Sequence, residues 1–195
     1  CASALNSAWV LMNSATDVWE GGLGSSSGEL GHNVMDHHFR TGAYGTVEGF
    51  SDKYEYGRRP TGTYIPRYRN VYNDKRDYLR GFGYQGGAGR GRVYIEEGVG
   101  AGYKDSLIEP GKWGFGIGSW GEHLPYFENK ATLNRDKKDK WGLPTLDIDC
   151  EFKENEKAMR KDMMNSAAEM LEKAGLKNIT THDDAPAPGF CIHEM

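Results

Sequence analysis

The most constraining feature of the sequence is a change of hydrophobic period between residues 124 and 175. Residues 126–134 alternate as a strand, the charged segment 137–142 predicts a turn, and residues 144–152 alternate again. Alternation with a period of two on both sides of a turn predicts a β-hairpin. The apolar side chains predicted to share one face of the second strand are Leu146, Ile148, Cys150 and Phe152.

A helical period follows the hairpin directly. Asn155 is placed to cap the N-terminus of this helix, and Gly175 is placed to end it in the left-handed conformation. A helix with one apolar stripe packs on a sheet, so the sequence predicts an α+β fold with a mostly antiparallel sheet backed by this helix. Its methionines are interpreted as core rather than as a cofactor site. The apolar positions at helical spacing are Met159, Met163, Ala167, Leu171 and Ala174.

Residues 81–121 combine many glycines with interspersed aromatic residues. This pattern predicts strands that another backbone or a ligand approaches closely. Residues 81–86 match GxGxxG but lack the hydrophobic strand before it and the helix after it that a dinucleotide site needs, so we interpret them as glycine-rich strand and loop. Residues 40–52 are β-like, residues 30–38 predict one or two helical turns, and two prolines within 53–76 predict an edge strand or irregular backbone.

The composition narrows the class of protein. The chain has 195 residues, of which 37% are hydrophobic and 27% charged, as in globular domains. The net charge is −4 with Lys and Arg interspersed among acidic residues, which argues against a nucleic-acid binder. No apolar run is long enough to span a membrane. The three cysteines are widely spaced, which argues against a disulfide scaffold and leaves the compartment open.

Three kinds of candidate chemistry can be considered from residue type alone. The histidines, chiefly His32, His37, His38 and His182, lack the spacing of a known metal motif, so a structural role is favoured and no metal is expected. A glycosidase needs two carboxylates at a set separation, which a sequence does not reveal. Tryptophans, and the many tyrosines between residues 44 and 126, can stack on a sugar ring or pack in a core. The carboxylates and tryptophans concerned are Glu96, Glu97, Glu122, Asp147, Asp149, Trp113, Trp120 and Trp141.

Four motifs occur in a characteristic order along the chain. Ser3-Ala4-Leu5-Asn6-Ser7 is followed by Val10-Leu11-Met12, and residues 30–37 contain Gly31, Asn33, Asp36 and His37. Trp141-Gly142-Leu143-Pro144 lies in the hairpin, and Cys191-Ile192-His193-Glu194-Met195 ends the sequence. In this order the motifs resemble the glucose-methanol-choline (GMC) family of FAD-dependent oxidoreductases, and the resemblance covers nearly the whole chain.

The resemblance implies an internal fragment of such an enzyme. Residues 1–39 would be a remnant of the Rossmann-like FAD-binding domain, residues 40–185 the substrate-binding domain, and residues 186–195 a segment returning to the active site. The cofactor would be FAD and the substrate a sugar, glycoside or polyol, with the electron acceptor unidentified. The residues implied are Ser3, Asn6, Ser7, Asn33, Asp36 and His37 for the cofactor, Trp120 and His123 for the substrate, and His193 as the catalytic base.

A neutral imidazole suits that role because its unperturbed pKa of about 6.5 lies near the working pH. The alternative from another class is a non-catalytic, β-rich module that binds carbohydrate or another protein. The two classes differ in the parent gene: the enzyme requires GxGxxG upstream and Gly-Thr-x-x-Met-Gly downstream, whereas a complete module would show linkers or stop signals at those ends.

Overall fold

The computed structural model describes residues 3–53, 62–92 and 98–183. These residues contain the helices α1 (Ala4–Asn13), α2 (Ala101–Ile108) and α3 (Glu154–Lys173), and a single 3-10 turn at Ser25–Ser27. Their strands are β1 (His37–His38), β2 (Thr41–Val47), β3 (Thr63–Ile65), β4 (Phe82–Arg92), β5 (Pro110–Glu122), β6 (Lys130–Lys138), β7 (Pro144–Asp149) and β8 (Lys177–Asp183). None of the described helices is both long and apolar enough to cross a bilayer.

The described residues fall into two compact units. The first unit comprises residues 3–39 and 122–157, and the second comprises residues 40–53, 62–92, 98–121 and 158–183. The assignment of residues 1–39, 40–185 and 186–195 to cofactor domain, substrate domain and return segment stays a prediction.

The second unit is built on an antiparallel sheet with the strand order β3-β4-β5-β2-β8. Its central pair, β4 and β5, runs in register from Phe82↔Gly121 to Arg90↔Trp113. The short strand β3 lies at one end of this order and is followed at once by Pro66, as the prolines predict for an edge strand. The sheet and its backing helix confirm the predicted α+β fold.

The core of the second unit lies between this sheet and α3. Met159, Met163, Ala167 and Leu171 are buried against the sheet residues Ala43, Tyr84 and Ile117, which confirms the predicted helical stripe as core. Gly175 follows the helix with φ +87°, as predicted for the residue that ends it. Ala174 lies beyond the end of α3 and is exposed, so its assignment to the stripe was wrong.

Two glycines allow the strands of this sheet to lie close together. A Cβ atom at Gly42 would overlap the carbonyl oxygen of Ile117, and one at Gly86 would overlap that of Gly116. The predicted close approach of backbone to backbone is therefore confirmed. Residues 82–92 form strand β4, so the GxGxxG match does lie in glycine-rich strand.

The first unit combines α1 with the predicted hairpin. Strands β6 and β7 pair from Lys130↔Asp149 to Asn134↔Thr145, and the indole nitrogen of Trp9 in α1 donates a 2.6 Å hydrogen bond to the carbonyl of Pro144. The first strand begins at Lys130 rather than near residue 126, because the Asn129 amide closes a turn onto the Tyr126 carbonyl. Ile148 is 42% exposed and is not part of a buried face, contrary to the sequence prediction.

Three further elements differ from the sequence predictions. Residues 30–36 form no helical turn, because Gly31 and Asn33 have positive φ angles and Val34 bonds to the Asn129 carbonyl. Helix α2 was not predicted. Helix α3 begins at Glu154, so Asn155 lies inside it, and the Glu156 carboxylate instead accepts from the Lys153 amide as in a capping box.

Candidate functional site

The second unit carries a sheet surface that we call the glycine face. Side chains alternate along a strand, so the neighbours of the core residues Tyr84 and Ile117 point away from α3. Cross-strand pairs on this side include Gly87↔Gly116, Gly89↔Gly114 and Gln85↔Gly118. The residues that define the glycine face are Gly83, Gln85, Gly87 and Gly89 of β4, Gly114, Gly116, Gly118 and Trp120 of β5, Tyr44 of β2 and Tyr64 of β3.

Aromatic rings on this face lie directly over glycines. The Tyr44 ring covers Gly114 so closely that a Cβ atom there would overlap it, and it also lies 3.4 Å from a Cβ position on Gly116. The Trp120 ring lies 3.6 Å from a Cβ position on Gly118, and the Tyr64 hydroxyl lies 3.5 Å from one on Gly83. A ring over a glycine of the next strand stabilises a sheet.

The same arrangement leaves room for a ligand. Tyr44 is 46% exposed and Tyr64 is 66% exposed, so each ring has surface in contact with solvent. A Cβ atom at Gly89 would meet no atom within 4 Å, and the nearest atom at Gly87 is 3.8 Å away. A flat glycine floor beside aromatic rings and the exposed Gln85 amide suits the apolar face and the hydroxyl groups of a sugar or polyol.

The first unit contains a buried polar cluster around His123, which is 5% exposed. The His123 backbone amide donates to the Asp36 carbonyl at 3.1 Å, and its ring Nε2 lies 3.3 Å from Nδ2 of Asn129. Asn129 is itself fixed, because Nδ2 donates to the Glu151 carbonyl and Oδ1 accepts from the Glu151 amide, both at 3.2 Å. These bonds hold the imidazole in one orientation.

Glu156 organises the backbone beside this ring. Its carboxylate is fully buried, and Oε1 accepts from the Leu124 amide at 3.1 Å and from the Tyr126 hydroxyl at 3.4 Å. Burial, followed by the Glu156 charge, raises the pKa of Tyr126 to about 12. The carboxylate therefore ties the start of α3 to the segment that follows His123.

The electrostatics of the cluster favour a neutral imidazole. Burial lowers the pKa of His123, while the carboxylates of Glu156 and Asp36 act in the opposite direction and only partly offset it. The rings of His123 and His38 each lie 5.5 Å from the Phe152 ring, centroid to centroid. A neutral, oriented imidazole of this kind can accept a hydrogen bond or a proton.

The predicted cofactor residues lie in the first unit. The Ser3 hydroxyl caps α1 by accepting from the Asn6 amide at 3.5 Å, and Asn6 and Ser7 are exposed in the first turn. Asn33 donates to the Glu29 carboxylate at 2.7 Å. Only 2% of the Asp36 side chain is exposed, and its carboxylate lies 3.5 Å from Nδ1 of His37.

The structure brings some of the predicted residues together. Asp36 and His37 lie beside His123 in the first unit, whereas Trp120 is part of the glycine face in the second. His193 lies outside the described residues. Among residues 3–53, 62–92 and 98–183, no three His, Cys, Asp or Glu side chains are grouped to hold a metal ion.

Several residues of these two sites were not singled out by sequence reasoning. Tyr44 and Tyr64 are separated by nineteen intervening positions in the sequence, and only the strand register places them on one face. Glu156 carried a usable signal, because a Glu at the third position of a helix is typical of a capping box. No sequence signal points to Asn129, because its side chain bonds to backbone groups of Glu151, which lies 22 residues away.

Comparison with known proteins gives a weak similarity to a dehydrogenase. The chain is 27% identical over 211 residues to 2-methyl-1,2-propanediol dehydrogenase of Mycolicibacterium austroafricanum. The alignment covers 97% of this chain and 36% of that protein, so the chain spans about a third of the relative's length. No family model matches the chain. The similarity is to an oxidoreductase of the dehydrogenase type and extends over both units.

Proposed function

We propose that this chain is part of an FAD-dependent oxidoreductase of the GMC type that oxidises a CH–OH group of a sugar, glycoside or polyol. The observation that carries the proposal is the alignment of 97% of the chain with a dehydrogenase whose named substrate is a diol. The order of the sequence motifs supports the same class. The glycine face supports the choice of a polyhydroxylated substrate.

The cofactor proposal rests on the donors at the start of α1. Asn6 and Ser7 are exposed there, and the first turn contains no acidic residue. Amide, hydroxyl and helix N-terminal donors without a competing carboxylate suit a group that carries phosphates and carbonyl oxygens, so these residues fit FAD. When bound, FAD supplies the acceptor for the hydride. Asn33, Asp36 and His37 are proposed to shape the adjoining loop, with His37 more exposed than Asp36.

The proposed chemistry divides between orientation and proton transfer. Tyr44, Tyr64 and Trp120 would hold the carbon skeleton of the substrate against the glycine face. His193 would accept the hydroxyl proton as the neutral imidazole, which is the form that the unperturbed pKa of about 6.5 favours at neutral pH.

The first experiment is a visible spectrum of the protein expressed from its full parent gene, before and after addition of sugars, glycosides, diols and simple alcohols, because this segment alone should neither bind FAD tightly nor turn over. We expect an oxidised-flavin spectrum that is bleached by polyhydroxylated substrates. His193→Ala should bind flavin equally and lose bleaching by at least about a hundredfold in rate, as is typical for removal of a general base. Bleaching by simple aliphatic or aryl alcohols alone would rule out the proposed substrate class.

The second experiment tests the glycine face. Tyr44→Ala and Tyr64→Ala should raise KM for the substrate about tenfold with a smaller change in kcat, because they remove binding rather than proton transfer. Tyr72→Ala is the matched control, since Tyr72 is 97% exposed and does not belong to the face. Equal KM values in all three variants would place substrate binding elsewhere.

A non-catalytic carbohydrate-binding module is the second candidate, and the exposed rings of the glycine face favour it as well. A colourless protein that binds glycans through Tyr44 and Tyr64 would establish this alternative. His193→Ala would then leave glycan affinity unchanged.

A further inference from the structure

A second potential ligand site lies at the far end of the sheet in the second unit. Val47, Trp113 and Arg90 are direct neighbours across strands β2, β5 and β4. They lie outside the core cluster that α3 forms with Tyr84 and Ile117. Around them is a cleft of about 510 Å³. This volume falls in the range of about 300–1,000 Å³ that is common for small-molecule sites.

Hydrogen bonds from the side chains of Arg90 and Trp113 to backbone carbonyls hold the wall of this cleft in place. The Arg90 guanidinium donates from Nε to the Gly111 carbonyl at 2.6 Å, and from Nη1 to the carbonyls of Ser51 at 2.8 Å and Lys53 at 2.9 Å. The Trp113 indole nitrogen donates to the Phe50 carbonyl at 3.0 Å. Both anchors fix the loop after β2 against β5, so the indole is oriented before any ligand binds.

The chemistry of the lining favours a neutral polyhydroxylated ligand. Beside Trp113, the lining includes the polar residues Glu48 and Ser51 of the loop after β2. An aromatic ring surrounded by charged and hydroxyl groups offers stacking together with both donors and acceptors for hydroxyl groups. Arg90 directs three hydrogen bonds to backbone carbonyls and Glu48 adds a carboxylate to the lining, and both features suit a ligand that presents hydroxyl groups.

This cleft is separate from the glycine face. Trp113 and Trp120 are seven residues apart in β5, so their side chains point to opposite sides of the sheet. Their positions along the strand differ by about 23 Å at the usual rise per residue. One sugar ring cannot contact both.

We propose that this cleft binds the ring of a neutral carbohydrate, stacked on Trp113 and hydrogen-bonded by Glu48 and Ser51. The proposal concerns binding alone and is independent of the flavin chemistry proposed above. The site would give the protein a second point of attachment to a glycan.

The test is calorimetric titration of the purified protein with methyl glucosides, cellobiose and maltose, with sodium phosphate as the anionic probe. We expect saturable binding of at least one glycan. Trp113→Ala should weaken it at least tenfold, whereas Trp113→Phe should stay within about threefold of the native protein. Trp141→Ala, which removes a 74% exposed tryptophan of the hairpin, is the control and should leave affinity unchanged.

Glu48→Gln tests the same site in case the Trp113 variants fail to fold. It alters only an exposed carboxylate and should weaken the same binding about fivefold. Tyr44→Ala separates the two sites, because it should leave the Trp113-dependent site intact. Absence of glycan binding, binding that is equal in Trp113→Ala, binding lost only in Tyr44→Ala, or saturable phosphate binding in place of glycan binding would each overturn the proposal.

Discussion

The hydroxyl of Tyr84 donates a 2.7 Å hydrogen bond to the carbonyl of Met163, joining β4 to α3 inside the core of the second unit. Tyr84 is fully buried, and burial raises the pKa of its phenol well above the usual range. The bond therefore joins the sheet and the helix through a neutral hydroxyl group at all physiological pH values.

Replacing Tyr84 by Phe should lower the free energy of unfolding by about 1–2 kcal/mol, because the core keeps its volume but loses this buried hydrogen bond. Urea denaturation followed by circular dichroism measures the change. Tyr64→Phe on the neighbouring strand is the control and should stay within about 0.5 kcal/mol of the native protein, since Tyr64 is 66% exposed. Equal losses in the two variants would contradict a specific role for the Met163 contact.

Two glycines of the same sheet should respond in opposite ways to alanine. Gly42→Ala places a Cβ atom against the Ile117 carbonyl oxygen and should destabilise the protein by at least about 2 kcal/mol. Gly89→Ala adds a methyl group where no atom lies within 4 Å, and should be neutral or stabilising by up to about 1 kcal/mol. Thermal denaturation of both variants measures the difference, and a destabilised Gly89→Ala would show that the glycine face is covered.

The carboxylate of Asp162 accepts hydrogen bonds from the hydroxyls of Tyr78 and Ser166, both at 2.7 Å, and pairs with Arg69 at 3.1 Å. Burial raises the pKa of Asp162, but these hydrogen bonds and the Arg69 charge outweigh it, so the pKa is lowered overall. Asp162→Asn should lower the free energy of unfolding by about 2–3 kcal/mol at pH 7, because Arg69, whose side chain is only 17% exposed, loses its nearest carboxylate.

The sign of the pH dependence follows from the lowered pKa of Asp162. Its stabilising contribution is complete above the unfolded value of about 3.9 and is lost as the pH falls through the folded pKa. The difference in stability between the native protein and Asp162→Asn should therefore shrink below about pH 4. Asp136→Asn, at an exposed position, is the control and should change the free energy of unfolding at pH 7 by no more than about 0.5 kcal/mol.

The free energy of unfolding should also depend on pH through His123, in a higher pH range than through Asp162. Because burial lowers its folded pKa, the unfolded chain takes up the proton first, and the stability associated with His123 declines as the pH falls below about 6.5. His123→Gln should be less stable at pH 7.5 but lose less stability than the native protein between pH 7.5 and pH 5.5. Guanidinium titrations at the two pH values measure this, and parallel losses would contradict a buried neutral imidazole.

The parts of the fold that the sequence predicts are those with a clear period. The sequence predicts the β6–β7 hairpin and the apolar stripe of α3, because apolar residues recur with a period of two in strands and at three- to four-residue spacing in a helix. The stripe consists of Met159, Met163, Ala167 and Leu171. The exact start of the hairpin could not be predicted, since it depends on the turn that the Asn129 amide closes onto the Tyr126 carbonyl. Helix α2 has only a weakly amphipathic pattern, which gives no periodic signal.

The candidate sites were less accessible to sequence reasoning. Trp120 and His123 were named as a pair, yet the structure places one on the glycine face and the other in the buried cluster of the first unit. The roles of Tyr44 and Tyr64 depend on cross-strand register, which a single sequence does not fix. The role of His193 stays a prediction, because that residue lies outside the described part of the chain.

Because side chains alternate along β4 and β5, residues that determine folding and residues that face solvent or a ligand take turns along the same stretch of sequence. Phe82, Tyr84 and Ile117 face α3 and determine whether the unit folds, whereas Gly87, Gly89 and Gly116 face away from it. Substitutions at every second position can therefore change the surface offered to a ligand while the folding determinants stay intact. Selection in nature, or a library in the laboratory, can explore new ligands along these strands without first having to restore a damaged core.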